Sequence, residues 1–196
     1  MMEQNEIRKK LKKTLDKERY EHTKGVMYTA GCLAMANRYL IEKAMLAGLL
    51  HDCAKCLSTA EKIRLCEDHH ILMTAVELEN PGLLHAKAGM ALAEEQYGVT
   101  DPDILHAIKV HTTGEPDMSI LDKIIYIADY IEPMRKEAPH LEEIREIAFH
   151  DLNQGVAEIL YDTLHYLNNR KGSIDPATQL TYEFYKQFGK EQPWKH

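Results

Sequence analysis

Four histidines and two aspartates of this 196-residue chain occupy positions that set them apart from the others of their kind. His51 and Asp52 are adjacent and follow the apolar run Met45-Leu46-Ala47-Gly48-Leu49-Leu50. His85 follows Leu83-Leu84, and His111 follows the largely apolar Ala107-Ile108-Lys109-Val110. Asp129 lies within Ile124-Ile125-Tyr126-Ile127-Ala128-Asp129-Tyr130-Ile131. His22 falls on the inward stripe of a helical period that continues through Val26 and Leu33. An ionised carboxylate in such surroundings faces an apolar interior, and burying it alone costs several kcal/mol unless it is paired or ligates a metal. Imidazole and carboxylate together suit iron, manganese, cobalt or zinc. Six such side chains supply one full metal site or two neighbouring ones. The remaining histidines, His69, His70, His106, His140, His150, His165 and His196, stand among charged or surface-like neighbours.

Adjacent residues on a helix point about 100° apart. His51 and Asp52 therefore approach one metal only if it sits over the seam between them. A carboxylate has two oxygens and can bridge two metals, which makes Asp52 the candidate bridge. Lys55 follows His51 by four residues and would share its helix face. An ammonium there repels a metal unless it points at a phosphate on the metal's open side, so His51, Asp52 and Lys55 together suggest a phosphate site. Asp122 stands seven residues before Asp129 on the same predicted face. It either orients a ligand or a water, or serves Ser119 as a capping partner. The competing reading has Asp52 capping a helix, Asp129 paired with Lys or Arg, and the histidines filling the core. It needs several independent coincidences.

The elements that must position these groups are helical nearly throughout. Ile7, Leu11 and Leu15 mark a first helix. A second is expected over 20–39 and a third over 41–55. Ser58 with Glu61 and Thr74 with Glu77 form capping boxes for a fourth and a short fifth, the latter stopped by Pro81 and Gly82. A sixth covers 83–97 with Gly98 as its C-terminal cap, and Asp101-Pro102 opens a seventh that ends near His111. Ser119 opens an eighth, closed by Pro133. Residues 141–169 are helical with a break near 151–155, and Asp175-Pro176 caps a last helix to about Phe188. No strand-period stretch, repeat or linker interrupts this pattern. The expectation is an all-α, single-domain bundle of roughly nine to eleven helices over 1–196, with a core at about 18–135 and C-terminal helices at 141–188 packing on it.

Composition narrows the partners. The net charge is −7 and 44% of residues are hydrophobic, which argues for a real core and against a broad basic nucleic-acid surface. An anionic ligand must then be met by local positive charge or metal. The charged N-terminal segment has no apolar signal-peptide core, and no apolar run reaches the ~18 residues of a membrane span. A cytoplasmic protein with free thiols is the expectation. Cys53 and Cys56 form a CxxC, but no strand precedes it and no second CxxC follows. Cys32, Cys53, Cys56 and Cys66 are read as small buried residues.

The ordered set His22, His51-Asp52, His85, His111 and Asp129 resembles the ligand set of the HD superfamily, named for its His-Asp doublet. The local wording narrows the likeness: Arg19-Tyr20-Glu21-His22-Thr23-Lys24-Gly25-Val26, Leu49-Leu50-His51-Asp52-Cys53-Ala54-Lys55, Leu84-His85-Ala86-Lys87-Ala88-Gly89, His111-Thr112-Thr113-Gly114, and the segment from Asp122 through Asp129-Tyr130-Ile131-Glu132-Pro133-Met134 to Arg135. Together these resemble the YqeK family of bacterial HD proteins, from about Arg19 to Tyr182. That resemblance implies symmetrical hydrolysis of diadenosine tetraphosphate to two ADP by metal-activated water, with iron as the metal. His22, His51, Asp52 and Asp129 match the family's core ligands. His85 and His111 match a second metal position or direct phosphate contacts. Arg19, Lys55, Thr112 and Arg135 match positions near the phosphates, and Ser173 and Thr178 lie in a stretch near the nucleotide. Asp52, Lys55, His85, His111 and Asp122 are the catalytic candidates. Nucleoside polyphosphate substrate, nucleoside diphosphate product and a homodimer are the expected partners.

The same ligands would serve an HD phosphohydrolase acting on deoxynucleoside triphosphates, nucleoside monophosphates or alarmones. They would also serve a mixed-valent di-iron oxygenase or a non-catalytic nucleotide or metal sensor. Lys55 and Arg135 favour phosphate chemistry over the last two.

Overall fold

In a computed structural model, residues 2–169 and 173–190 are described; His196 lies outside them. They form eleven α-helices and one 3-10 turn, with no strand among the described residues. The helices are α1 (Gln4–Thr14), α2 (Lys17–Ala36), α3 (Ile41–Leu50), α4 (Thr59–Asp68), α5 (Ala75–Glu79), α6 (His85–Tyr97), α7 (Pro102–Val110), α8 (Ile120–Ile131), α9 (Leu141–Ala148), α10 (Leu152–Asn168) and α11 (Pro176–Tyr185), the last continuing as a 3-10 turn over Lys186–Phe188.

Local chemistry sets most boundaries. Ser58–Glu61, Thr74–Glu77 and Ser119–Asp122 each make both bonds of a capping box. Asp101 accepts from the Asp103 N–H and Asp175 from the Ala177 N–H, each just past the proline at the first helical position. Gly98 ends α6 in the left-handed region, at φ +68°. The expected break in 141–169 falls between Ala148 and Leu152, where Asp151 caps α10 by accepting from Asn153 and Gln154. α2 begins three residues earlier than its apolar stripe suggests, because Asp16 accepts from the Arg19 N–H at 2.7 Å.

One boundary differs in a way that matters. The third helix does not run to Lys55 but stops at Leu50. Beyond it the chain turns through i→i−3 bonds, Cys53 N–H to Leu50 O at 3.0 Å and Lys55 N–H to Asp52 O at 2.9 Å. The tighter winding changes the angular spacing of these side chains. Lys55 consequently shares no α-helical face with His51.

The core is built where α2 packs between α3 and α8, with α7 beside them and α6 against α7. α2 buries Val26, Met27, Ala30, Leu33 and Ala34, and α8 buries Leu121, Ile124, Ile125, Ile127 and Ala128. α2 and α3 approach closely at Gly48, where a Cβ would lie 3.0 Å from the Met27 Cα and 3.2 Å from the Val26 carbonyl oxygen. α9 and α10 pack on α8, and α11 packs on α10. The four cysteines are free; Cys53 and Cys66 are buried, but Cys32 and Cys56 are exposed, contrary to the expectation that all are buried. Among the described residues, no helix is long and apolar enough to cross a membrane.

Candidate metal centre

His22 of α2, His51 and Asp52 just past α3, His85 at the start of α6, His111 just past α7 and Asp129 of α8 converge on one place. The ring centroids of His22 and His51 are 5.3 Å apart, those of His51 and His111 5.0 Å, and those of His85 and His111 5.0 Å. His51, Asp52, His85 and His111 are each at most 3% exposed. Asp129 is less enclosed than its apolar neighbours suggest; its carboxylate sits at the rim with 28% of the side chain exposed.

Asp52 occupies the middle. Its Oδ2 lies 3.4 Å from His51 Nε2 and 3.8 Å from His22 Nε2. Its Oδ1 lies 3.1 Å from His85 Nε2 and 3.7 Å from His111 Nε2. The two oxygens thus face two groups of imidazoles. Asp129 Oδ1 completes the first group, 3.0 Å from His22 Nε2 and 3.9 Å from His51 Nε2. Ligand atoms of His22, His51 and Asp129, and those of His51, Asp52 and His111, lie close enough to share a cation.

Three of the histidines are aimed by the backbone. His51 Nδ1–H donates to Gly48 O at 2.8 Å, His85 Nδ1–H to Gly82 O at 2.6 Å, and His111 Nδ1–H to Ile108 O at 2.7 Å. A carbonyl only accepts, so each ring carries a proton on Nδ1, and in its neutral form turns a lone pair on Nε2 into the cluster. In each case the acceptor is three residues earlier, in a helix end or turn, where carbonyls lack α-helical partners.

The electrostatics agree. Burial alone would raise the Asp52 carboxyl, but the His51, His111 and His85 rings hold it well below the ordinary carboxylate range. Burial would likewise raise Asp129, but the neighbouring rings of His22 and His51 hold it below the ordinary carboxylate range. Burial pushes the His85 ring down to about 4, keeping it neutral near pH 7. His22 is held above its usual value although burial opposes this, because Asp129, Glu132 and Asp52 surround it. Among the described residues, three buried atoms in the cluster, His22 Nε2, His51 Nε2 and Asp52 Oδ1, make no hydrogen bond. Mutually facing imidazole nitrogens and carboxylate oxygens without protein partners are a donor set that fits a divalent metal.

Cationic and hydroxyl groups ring the cluster. Lys55 Nζ lies 3.1 Å from His85 Nε2 and 3.8 Å from Asp52 Oδ1. Arg19 Nη1 meets Asp52 Oδ2 at 2.7 Å, and Arg135 Nη2 donates to the Asp129 carbonyl at 2.8 Å. Thr112 Oγ1 stands 3.3 Å from His85 Nε2 and 3.2 Å from His111 Nε2. Two clefts flank this ring. One, of about 210 Å³, is lined by Arg19, His22, Glu132, Met134 and Arg135. The other, of about 450 Å³, is lined by Leu83, Thr112, Tyr166, Ser173, Ile174 and Thr178. Gly114, at φ +65°, lets the 112–118 loop lie against Thr181 of α11, whose Cγ2 a Cβ there would crowd at 2.7 Å.

Asp122 is not brought to the cluster. Its Oδ2 accepts from Ser119 N–H at 2.9 Å and its Oδ1 meets His106 Nδ1 at 3.1 Å. His106 gives its other nitrogen to Glu115 at 3.1 Å. The two ring nitrogens point in diverging directions, so this trio reads as a clamp between α7, the loop and α8. Two residues of the cluster's surroundings stand within the quoted motifs but carry no expected role. Glu132, 2% exposed, reaches His22, and Gly25 leaves it room. The argument that singled out Asp129, a carboxylate beside an apolar run, applies equally to Glu132 after Ile131.

Comparisons with known proteins show the family. The HD domain family model matches residues 19–134. The chain is 38% identical over 176 residues, covering 89% of this chain and 92% of the relative, to a symmetrical bis(5'-nucleosyl)-tetraphosphatase of Bacillus subtilis. It is 40% identical over 172 residues, covering 88% and 91%, to one of Halalkalibacterium halodurans. A crystal structure from Clostridium acetobutylicum, of an HD superfamily hydrolase described as involved in NAD metabolism, superposes with a TM-score of 0.92 at 38% identity, covering 95% of this chain and 98% of that one. A buried His/Asp cluster, the arrangement of the helices and relatives similar along most of their length lead to one statement: this chain belongs to the HD-domain family and, within it, to the symmetrical bis(5'-nucleosyl)-tetraphosphatases.

Proposed function

We propose that this protein hydrolyses diadenosine tetraphosphate symmetrically to two ADP, with iron as its resident divalent metal; manganese, cobalt or zinc satisfy the same donors. The observation that carries the reading is the trio of buried atoms without hydrogen bonds, His22 Nε2, His51 Nε2 and Asp52 Oδ1, gathered in one cluster under a rim of Lys55, Arg19 and Arg135. His22, His51, Asp52 and Asp129 would hold one cation. The second oxygen of Asp52, with His85 and His111, would hold another or contact phosphate directly. When bound, the metal supplies a Lewis acid and a water whose pKa falls from about 15.7 toward 7.

The protein's own groups supply the rest. Asp52, already ionised, offers one oxygen to each side. The neutral ring of His85 keeps its Nε2 unprotonated at physiological pH. Lys55 neutralises charge on the phosphate oxygens next to His85, and the Thr112 hydroxyl offers a hydrogen bond to the same oxygens. Arg19 and Arg135 present forked donors on the other side. Asp52 Oδ2, which Arg19 meets at 2.7 Å, would be shared with the cation, and the guanidinium of Arg19 would then be available to the phosphate. Thr178, Ser173 and Tyr166 line the larger cleft, which accepts one nucleoside half. The Asp122 side chain keeps the start of α8 in place, and its contribution comes through that helix.

The test is product analysis with metal-loaded protein. ADP as sole product from diadenosine tetraphosphate is expected. AMP with ATP, or turnover of deoxynucleoside triphosphates in preference, would assign the chain to a different phosphohydrolase. Metal-stripped protein that still turns over would end the reading altogether.

A further inference from the structure

His22 differs from the other three histidines in where it stands. His51, His85 and His111 obtain their Nδ1 acceptors from carbonyls at helix ends and turns. His22 lies inside α2 (Lys17–Ala36), where the i→i−4 ladder consumes the carbonyls. Its acceptor must be a side chain. Glu132 provides one: its Oε1 lies 3.1 Å from His22 Nδ1, across 110 positions of sequence. The other oxygen of the same carboxylate, Oε2, accepts from the Met134 N–H at 2.6 Å. That bond fixes the turn from α8 toward Arg135, which closes with the Arg135 N–H donating to the Glu132 carbonyl at 3.0 Å. Arg145 braces the same turn, donating to the carbonyls of Ile131, Glu132 and Arg135. Gly25, one helical turn after His22, makes the arrangement possible: a Cβ there would collide with Oε2 and stand 3.2 Å from the carboxylate carbon.

We propose that Glu132 is a positioning residue that sets the tautomer of His22 and the placement of Arg135 together, with Gly25 as the space it requires. This rests on the metal-hydrolase reading above only in supposing that His22 Nε2 is a ligand. The need for a carboxylate follows from counting acceptors. Both oxygens receive an N–H. A glutamine keeps the shape but has one acceptor and one donor group. Facing its oxygen to His22 sets N–H against the Met134 N–H. Facing it to Met134 presents N–H to His22 Nδ1, which drives the ring proton to Nε2, into the cluster.

Two variants test this on purified protein: Glu132→Gln and Gly25→Ala. The readouts are metal per chain by elemental analysis, metal affinity by titration, and the His22 tautomer from ring ¹⁵N chemical shifts in metal-free protein. Glu132→Gln should lower metal affinity roughly tenfold to a hundredfold, the usual scale for losing a ligand's outer partner. It should also move the His22 proton to Nε2, while the helical signal persists. Gly25→Ala keeps the carboxylate but displaces it, and should reproduce both effects. The conservative Glu132→Asp should recover part of the affinity, since it retains two acceptors. Wild-type affinity and tautomer in folded Gly25→Ala would overturn the proposal, as would wild-type affinity in Glu132→Gln; should Glu132→Gln prove poorly folded, Gly25→Ala decides alone. A wild-type protein that binds metal through His22 yet does not cleave diadenosine tetraphosphate would refute the proposed substrate and leave this inference standing.

Discussion

Each imidazole at the centre has one nitrogen engaged by a fixed acceptor, and the other nitrogen is thereby aimed. This makes the cluster sensitive to single groups. Asp52→Ala removes the oxygens that face both sets of rings, and His51→Ala removes the residue common to both trios that could share a cation. Both variants are expected to lose metal and activity together, by elemental analysis and product assay, with the far-ultraviolet helical signal nearly unchanged. Lys55 is a different case, because a third of its side chain is exposed and its partner is a neutral ring. Lys55→Met should leave metal content intact and lower kcat/KM for diadenosine tetraphosphate roughly tenfold to a hundredfold, the scale of one charge-assisted bond. A Lys55→Met protein that loses its metal would show that the ammonium supports the cluster and does not serve the phosphate.

At the scale of elements, the candidate ligands are as well placed as the helices that carry them. α2 and α3 touch at Gly48, and the atoms a methyl would meet there are the Met27 Cα and the Val26 carbonyl, which belong to a helix backbone and cannot swing aside. Gly48→Ala is therefore expected to cost about 1–3 kcal/mol as overpacking. It would push apart the helices bearing His22 and His51. A lower thermal midpoint accompanied by weaker metal binding is the expected pair of observations; a lower midpoint with metal affinity unchanged would show that the centre tolerates movement between α2 and α3. The start of α8 is held differently, by the Ser119–Asp122 box and the His106 contact. Ser119→Ala should cost about 1 kcal/mol as a lost cap, measured by denaturant melting.

For the molecule as a whole, the centre is a cross-link among segments that are far apart in sequence. α2, the turn after α3, the start of α6, the turn after α7, and α8 all contribute. A metal that binds this assembled set and not the unfolded chain stabilises the fold by mass action, about 2.7 kcal/mol when free metal is a hundredfold above its dissociation constant. Chelation should lower the thermal midpoint by several degrees and re-addition should restore it, whereas Asp52→Ala should not respond to either. The net charge of −7 sharpens the role of the rim. A molecule of that net charge does not attract a polyphosphate as a whole, and on the proposed reading Arg19, Lys55, Arg135 and a bound metal would supply the local positive potential.

The amino-acid sequence alone determined the helices and the identity of the candidate ligands. Caps such as Ser58–Glu61, Ser119–Asp122 and Asp175-Pro176 act over three residues. Carboxylates beside apolar runs betray themselves by the cost of burying them. Such signals are complete within one or two turns of chain, which is why they could be read directly. The tertiary structure alone decided that α3 stops at Leu50, so that Lys55 meets His85 of α6 and not His51. It also decided that Asp129 sits at the rim, that Asp122 turns to His106, and that Glu132 reaches His22. Those outcomes depend on how helices cross, and a crossing is fixed by packing between residues distant in sequence, at contacts such as Gly48 on Met27 and Gly25 beside Glu132. No local pattern carries that information, because the energy that sets it belongs to pairs of surfaces and not to either strand of sequence by itself.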